Sequence, residues 1–272
     1  MTHRYYGGMP DADRQTTSPN RQTLPAWRIL AREHPRGTRL PVHAHRMGQL
    51  VFAVSGVMRV DTPGSQWTVP PQRALWLPPL HPHAIDMLSD TSLRTVYIAP
   101  ALINRCGGFE GRRAVHAVVA SPLVKALVLG LFDTHRSAEM QGLSARLLLH
   151  ALGEAACLPT RLAMPEDSRL RAGLEAVLRG QRWDLSMSGI AGAASMSERS
   201  FTRRFTQEVG ISFRAWRTQA RIIASLDLLA AGQPVKSVAH ALGFSSAAAY
   251  VAAFKSLMGD TPAVFNRPQG LE

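Results

Sequence analysis

Residues 181 to 268 contain an imperfect internal duplication, and this repeat constrains the fold more than any other feature of the chain. The first copy runs from Ile190-Ala191 through Phe201 and Phe205 to Gly210, and it recurs as Val238-Ala239, Tyr250, Phe254 and Gly259. The offset is 48 at Ile190/Val238 and Ala191/Ala239 but 49 at Phe201/Tyr250, Phe205/Phe254 and Gly210/Gly259, so one residue is inserted in the second turn. Each copy reads as a short helix, a tight turn and a second helix opened by a serine cap. That is the helix-turn-helix arrangement, whose second helix lies in the major groove of DNA.

The residue types fit this reading. Ile190/Val238 and Phe205/Phe254 are expected to pack the two helices at their crossing, with Ala191/Ala239 keeping the contact close. Gly243 suits a left-handed turn position that Ser195, its counterpart, tolerates less well. Between the copies, Phe213 to Ala230 has helical apolar spacing through Trp216, Ile223 and Leu226. Its length, roughly 27 Å, is close to the roughly 34 Å of one duplex turn, so both second helices can enter successive major grooves. Charge agrees locally rather than globally. The chain holds 31 Lys plus Arg against 19 Asp plus Glu, a formal +12, but only Lys125, Lys236 and Lys255 are lysines, and such arginine bias can reflect codon composition. Arg199 to Arg221 is different: six arginines (199, 203, 204, 214, 217, 221) stand against one acid, Glu208, a local +5 that a phosphate backbone can neutralise.

Over its C-terminal third the chain resembles the AraC/XylS family of bacterial transcription regulators. The resemblance is carried by Ser-x-Arg-Ser-Phe-x-Arg-Arg-Phe-x-x-Glu-x-Gly from Ser197, by Trp216 to Leu229 with Arg221, and by Leu-Gly-Phe-Ser-Ser, Ala-Phe-Lys and Gly-Asp-Thr-Pro further on. It implies two helix-turn-helix units on a linker helix, reading double-stranded promoter DNA and recruiting or blocking RNA polymerase. The family's base-facing positions fall on Arg199, Thr202 and Arg203, and helical geometry places these three on one face, opposite Phe201 and Phe205. Arg199 and Arg203 can each offer a fork to guanine O6/N7, about 1 to 3 kcal/mol of discrimination apiece. Arg204, Arg214 and Arg217 are assigned to phosphate; Ser197 is the cap and, with Ser200, joins the DNA-facing set. In the second unit the corresponding positions are Ala248, Val251 and Ala252, none of which can make a side-chain hydrogen bond. They can touch thymine methyls, or the helix can rest on the backbone through Ser245, Ser246 and Lys255. The first unit is therefore expected to carry most of the sequence specificity.

Residues 26 to 100 have a different rhythm. Leu50 to Val54, Val57 to Val60, Trp67 to Val69, Ala74 to Leu77 and Leu93 to Ile98 read as strands punctuated by Gly- and Pro-rich turns, suggesting a small β-barrel or sandwich. Gly37-x5-His43-x-His45-x3-Gln49-x6-Gly56 followed by Pro78-x4-His83 is similar to the two motifs of the cupin fold. Gln49 stands where a glutamate is usual, Leu80 where glycine is expected and Met87 where asparagine is. The cupin resemblance implies that His43 and His45 face the barrel interior. His43, His45, Gln49 and His83 can hold a divalent metal with open positions, or can act as hydrogen-bonding walls of a pocket for a neutral ligand. Phe52 and Trp76 are candidates to line the same cavity, with core packing as their other reading.

From about residue 121 helical spacing takes over. Ser121-Pro122 is a helix start with Leu123, Leu127 and Leu131 on one face, and Leu143, Leu147 and Ala151 with Leu148 and Leu152 mark a second helix, either plain core or a dimer seam. The expected organisation is an α+β two-domain chain. It comprises a disordered tail (1–22), a cupin-like effector barrel (23–110), a helical dimerisation and linker region (111–165) and an all-α double helix-turn-helix domain (166–272). Leu123 to Phe132 is too short to span a bilayer, which takes about 20 residues. The first 22 residues have no apolar h-region, so a cytoplasmic protein without membrane contact is expected. Cys106 and Cys157 form no CxxC, arguing against a disulfide framework or a zinc finger, and both are read as core thiols. The leading functional reading is a DNA-binding regulator responsive to a small-molecule effector or metal, acting alone or as a homodimer, with no enzymatic activity. A metal-dependent cupin enzyme fused to a DNA module, and a constitutive repressor with a vestigial barrel, are the alternatives.

Overall fold

The computed structural model describes residues 25–71, 73–106, 113–155, 160–180 and 182–265. The expected disordered tail and Cys157 lie outside these residues. Eight strands come first: β1 (Trp27–His34), β2 (Arg39–His43), β3 (Gly48–Ser55), β4 (Met58–Thr62), β5 (Ser65–Val69), β6 (Arg73–Leu77), β7 (His83–Met87) and β8 (Thr91–Ile98). After the short α1 (Pro100–Arg105) and β9 (His116–Val119) come α2 (Pro122–Leu131), α3 (Ala138–Glu154) and β10 (Arg161–Ala163). The strands form two antiparallel five-stranded sheets, ordered β1-β8-β3-β6-β9 and β10-β5-β4-β7-β2. The short strands β9 and β10 fall within residues 111–165, expected to be a helical and linker region; at four and three residues they are too short to show strand alternation in the sequence.

Period-two alternation sorts the strand side chains into two cores. Val51, Ala53, Leu75, Leu77, Met58, Val60, Ile85 and Met87 fill the space between the sheets. Leu50, Phe52, Trp76, Val96 and Ile98 face the other way and are covered by Val124, Val128 and Leu131 of α2 and by Ala145, Leu148, Leu149 and Leu152 of α3. Cys106 is buried in this same layer, as expected. Gly48 is required here by close approach: the Trp76 ring lies 2.4 Å from the place a Cβ would occupy. Both helices start on serine caps, Ser121 accepting from the Val124 amide and Ser137 from that of Met140. Leu148 and Leu152 are core, whereas Leu143 and Leu147 stay half exposed, at 50% and 49%.

The second domain is helical: α4 (Ser168–Gly180), α5 (Met187–Ala193), α6 (Glu198–Val209), α7 (Phe213–Ala230), α8 (Val235–Ala241), α9 (Ala247–Met258) and α10 (Pro262–Phe265). The repeat appears as α5–turn–α6 and α8–turn–α9. The inserted residue sits in the second turn, because two residues separate Ala194 from the Ser197 cap and three separate Leu242 from the Ser246 cap. Ile190, Val238, Phe205 and Phe254 are fully buried at the helix crossings, as the sequence predicts. Phe201, Phe205, Phe213 and Trp216 form one ring cluster with centroids 5.6 to 5.9 Å apart. Among the described residues no helix is long and apolar enough to cross a membrane.

β10 joins the domains. It extends the second sheet by pairing Arg161 with Trp67 and Ala163 with Ser65. On the other side, Trp216 Nε1 of α7 donates to the Ala163 carbonyl at 2.7 Å and Gln219 Nε2 to that of Arg161 at 2.8 Å. Leu162 and Met164 are buried in the helical core.

Among the described residues two non-glycine residues occupy the left-handed region, Ser195 at φ 54° and Leu80 at φ 62°. These are the position expected to suit glycine poorly replaced and the position where the second cupin motif has glycine. A side chain there costs roughly 1 kcal/mol. Leu80 is 68% exposed, so its side chain offsets little of that cost. Relief of this strain is offset in part by the freedom glycine adds to the unfolded chain, so Leu80→Gly is expected to leave stability unchanged or raise it by up to about 0.5 kcal/mol, read from urea unfolding midpoints at unchanged slope; a clearly lower midpoint refutes the strain at this turn.

Candidate nucleic-acid interface and ligand pocket

The first recognition unit is built on α6. Its Ser197 cap accepts from the Ser200 amide at 3.3 Å and donates to the Ser200 hydroxyl at 3.0 Å. Phe201 and Phe205 anchor the inner face at 0% exposure, which turns Arg199, Thr202 and Arg203 outward. Among the described residues neither the Arg199 nor the Arg203 guanidinium has a hydrogen bond or an ion pair, and both are exposed. The remaining arginines of the basic stretch divide. Arg214 is exposed and its guanidinium is likewise without a described partner. Arg204 pairs with Asp167 at 3.2 Å. Arg217 is half-buried, donates to the Leu185 carbonyl at 3.2 Å and lies over the Phe213 ring, so its charge is drawn inward rather than presented freely. Arg221 does the same with the Trp183 carbonyl and the Phe244 ring.

Glu208, the single acid among the arginines and part of the motif that begins at Ser197, has a structural role. Its Oε2 accepts from the backbone amides of Glu166 and Asp167 at 2.8 and 3.1 Å, fastening the start of α4 to the recognition helix. The sequence gives no sign of this contact, because its partners are backbone groups 41 and 42 residues away.

In the second unit Ser246 caps α9 by accepting from the Ala249 amide at 3.1 Å. Ser245, Ala248, Ala252 and Lys255 are exposed and Val251 is half-buried. The outward face of α9 is therefore methyl-rich with one cation, in contrast to the guanidinium-bearing face of α6.

The barrel histidines come together. His43 ends β2, His45 lies just beyond that strand, and His83 opens β7, sharing the inward parity of Ile85 and Met87. Ring centroids are 4.3 Å apart for His43/His83, 4.8 Å for His43/His45 and 5.6 Å for His45/His83. Gln49, buried on β3, donates to Tyr97 Oη at 3.5 Å, and the Tyr97 ring meets His45 edge-on at 5.0 Å. Tyr97 was not singled out from sequence; strand alternation in β8, which pairs it with Gln49, is the signal that points to it. Phe52 and Trp76 do not join this group, which corrects the expectation that they line the same cavity. Their even positions in β3 and β6 turn them into the helix-covered core, away from the barrel interior.

The donor set fits a divalent metal in chemistry and in preparation. His43 Nδ1 contacts the Pro41 carbonyl at 2.6 Å and His83 Nδ1 the His81 carbonyl at 2.9 Å. Such contacts place the proton on Nδ1 and leave Nε2 as the lone-pair donor. His83 Nε2 and Gln49 Oε1 are buried without a hydrogen-bond partner. One ligand nitrogen from each of the three histidines lies within 4.8 Å of the others. A tetrahedral shell with bonds near 2.0 Å needs about 3.3 Å, a small inward closing of the rings. Burial, and then the neighbouring His43 and His45, push His83 down to about 4, so it is neutral and able to donate at pH 7.

That depression also couples to stability. In the unfolded chain His83 titrates near 6.5, so the unfolded state binds the proton first and stability falls as pH drops from about 6.5 towards 4. The full contribution is about 3 kcal/mol. With chelator present, the acid-side loss of stability is expected to shrink in His83→Gln, measured as unfolding free energy against pH; parallel curves for the two proteins refute a neutral buried His83.

Comparison with known proteins agrees with both halves of the chain. Residues 28–157 match the AraC-like ligand binding domain and residues 190–268 a helix-turn-helix domain. The HTH-type transcriptional regulator NimR of Escherichia coli (strain K12) is 31% identical over 226 residues, covering 82% of this chain and 80% of that protein. The regulatory protein PocR of Salmonella typhimurium is 27% identical over 109 residues, covering 40% of this chain and 36% of its own length. Among solved structures, ToxT from Vibrio cholerae O395 covers 89% of this chain and 97% of its own at 13% identity and a TM-score of 0.38. The DNA-binding domain of AdpA, solved in complex with a target DNA, covers 38% of this chain and 98% of its own at 28% identity and a TM-score of 0.35. With a duplicated helix-turn-helix presenting free arginines behind a two-sheet ligand-binding barrel, this chain belongs to the AraC family of DNA-binding transcription regulators.

Proposed function

We propose that α6 supplies most of the sequence reading and α9 mainly holds the protein against the duplex. The observation that carries this is the pair of outward, unpartnered guanidiniums of Arg199 and Arg203 on a helix whose opposite face is locked by Phe201 and Phe205. Thr202 completes the base-facing set. Arg214 meets phosphate, Arg204 does so by exchanging Asp167 for the backbone, and Ser197 and Ser200 sit at the helix start, where amides attract phosphate. Arg217 positions α7 through its contact with the Leu185 carbonyl. Ala248, Val251 and Ala252 touch thymine methyls while Ser245, Ser246 and Lys255 face the backbone.

The barrel senses rather than catalyses in this reading. This agrees with the match of residues 28–157 to the AraC-like ligand binding domain. His43, His45, His83 and Gln49 hold a divalent metal or hydrogen-bond a neutral effector, and the bound species shifts the DNA-competent population by binding it differently. The protein acts in the cytoplasm on promoter DNA, recruiting or blocking RNA polymerase. The half-exposed Leu143 and Leu147, with Met140 at 48%, form a stripe on α3 that pairs with a second copy.

Three outcomes are expected. In binding-site selection, Arg203→Ala relaxes preference at one or two positions at about 1 to 3 kcal/mol, while Ala252→Ser leaves the consensus unchanged; equal information in both half-sites overturns the division of labour. Co(II) or Zn(II) titrated into apo protein binds one equivalent, and His83→Gln weakens it by at least tenfold; no binding by the wild type leaves only the neutral-effector pocket. Sedimentation of Leu143→Glu with Leu147→Glu yields monomer where the wild type yields dimer.

A further inference from the structure

A cavity of about 310 Å³ lies outside the barrel, between the outer face of the second sheet and the helical domain. Its volume is at the lower end of the range that holds small molecules. Its walls come from both domains and differ in character. Arg36, Gln66 and Thr68 line it from the barrel. Leu162, Leu178, Trp183 and Ile223 supply an apolar wall from β10 and the helices, with Asp227 beside them. Ala220, Ile223, Ala224 and Asp227 recur at helical spacing, so one stripe of the linker helix α7 faces the barrel.

The charge pattern of this cavity is left incomplete by the protein itself. Arg59 also borders the space but is already held by Asp86 and Asp61. That leaves Arg36, from the β1–β2 turn, and Asp227, from α7. Burial pushes the Asp227 carboxyl up and the Arg36 charge draws it back down, so the two sense each other across the space. Neither has an ion pair with the other within 4.0 Å among the described residues.

We propose that this cavity binds a small zwitterion with an apolar body, an α-amino acid of leucine to phenylalanine size, whose carboxylate meets Arg36 and whose ammonium meets Asp227. The opposed charges, one from each domain, match the carboxylate and ammonium that such a molecule carries on one carbon, and Leu162, Leu178 and Ile223 receive its side chain. A ligand held this way fastens the barrel to the helix that spaces the two recognition helices, so it stabilises one domain arrangement over others. By linkage, amino acid and operator then change each other's affinity by the same factor. The existence of the site is independent of the regulator reading, and only its effect on operator binding rests on that reading.

The test uses the full chain and isothermal titration with L-leucine, L-methionine and L-phenylalanine, alongside 2-phenylethylamine and 3-phenylpropionate, which each lack one charge. At least one amino acid is expected to bind at least tenfold more tightly than either single-charge analogue. Arg36 is exposed, so Arg36→Gln leaves the fold intact; it should weaken the amino acid at least tenfold and leave 2-phenylethylamine unchanged. Asp227→Asn should weaken the amino acid and leave 3-phenylpropionate unchanged. Absence of binding by all three amino acids, equal binding of an analogue, or amino-acid binding that survives both substitutions overturns the site. Loss of binding in His83→Gln alone places the ligand in the barrel and also overturns it. Operator DNA is titrated in parallel: DNA binding without amino-acid binding removes this inference and leaves the regulator reading standing, whereas amino-acid binding without DNA affinity upholds the cavity and removes the regulator reading.

Discussion

The three residues of β10 hold the molecule together as one object. A strand at a sheet edge presents backbone groups that need partners, and here the groups on one side pair with β5 while carbonyls on the other accept from Trp216 and Gln219 of α7. Leu162 and Met164 then enter the helical core from this strap. An otherwise exposed sheet edge becomes the mount for the DNA-binding domain. The second sheet therefore runs from β2 and β7, which carry His43 and His83, through β4 and β5 to the strand on which α7 rests.

The barrel owes its division of labour to alternation. Each strand of the first sheet sends one set of side chains between the sheets and the other set against α2 and α3, so adjacent residues such as Leu75 and Trp76 belong to different cores. Phe52 and Trp76 fall on the helix-covered side, while Gln49 and His83 share the between-sheet parity of Leu75, Leu77, Ile85 and Met87. In the helical domain the corresponding rule is the 3.6-residue period, which buries Phe201 and Phe205 and by the same rotation exposes Arg199, Thr202 and Arg203. Serine caps at Ser186, Ser197, Ser212 and Ser246 set where four of the helices begin.

Much of this was legible beforehand because the signals are local. The duplication located both recognition helices and the linker helix, whose observed bounds of Phe213–Ala230 coincide with the apolar run. Histidine spacing brought His43, His45 and His83 to one site, and the substituted Leu80 position proved to be a left-handed turn. What was missed depends on contacts between distant residues. Whether Trp76 or Leu75 faces the ligand side depends on which face α2 and α3 cover. Likewise Glu208, Asp167 and Arg217 find partners that no local pattern encodes.

The amino-acid sequence by itself determined the helix-turn-helix repeat, the strand-rich first half, the basic recognition face and the histidine set, because each rests on periodicity or spacing within a few turns or strands. Tertiary structure alone decided which arginines are left without a partner among the described residues, which aromatic residues leave the barrel interior, and that a cavity forms between the domains. These are outcomes of packing. An arginine is free only if no carbonyl or carboxylate from a remote segment reaches it, and a cavity between Arg36 and Asp227, 191 residues apart in the chain, exists only once β10 has docked the helices on the sheet.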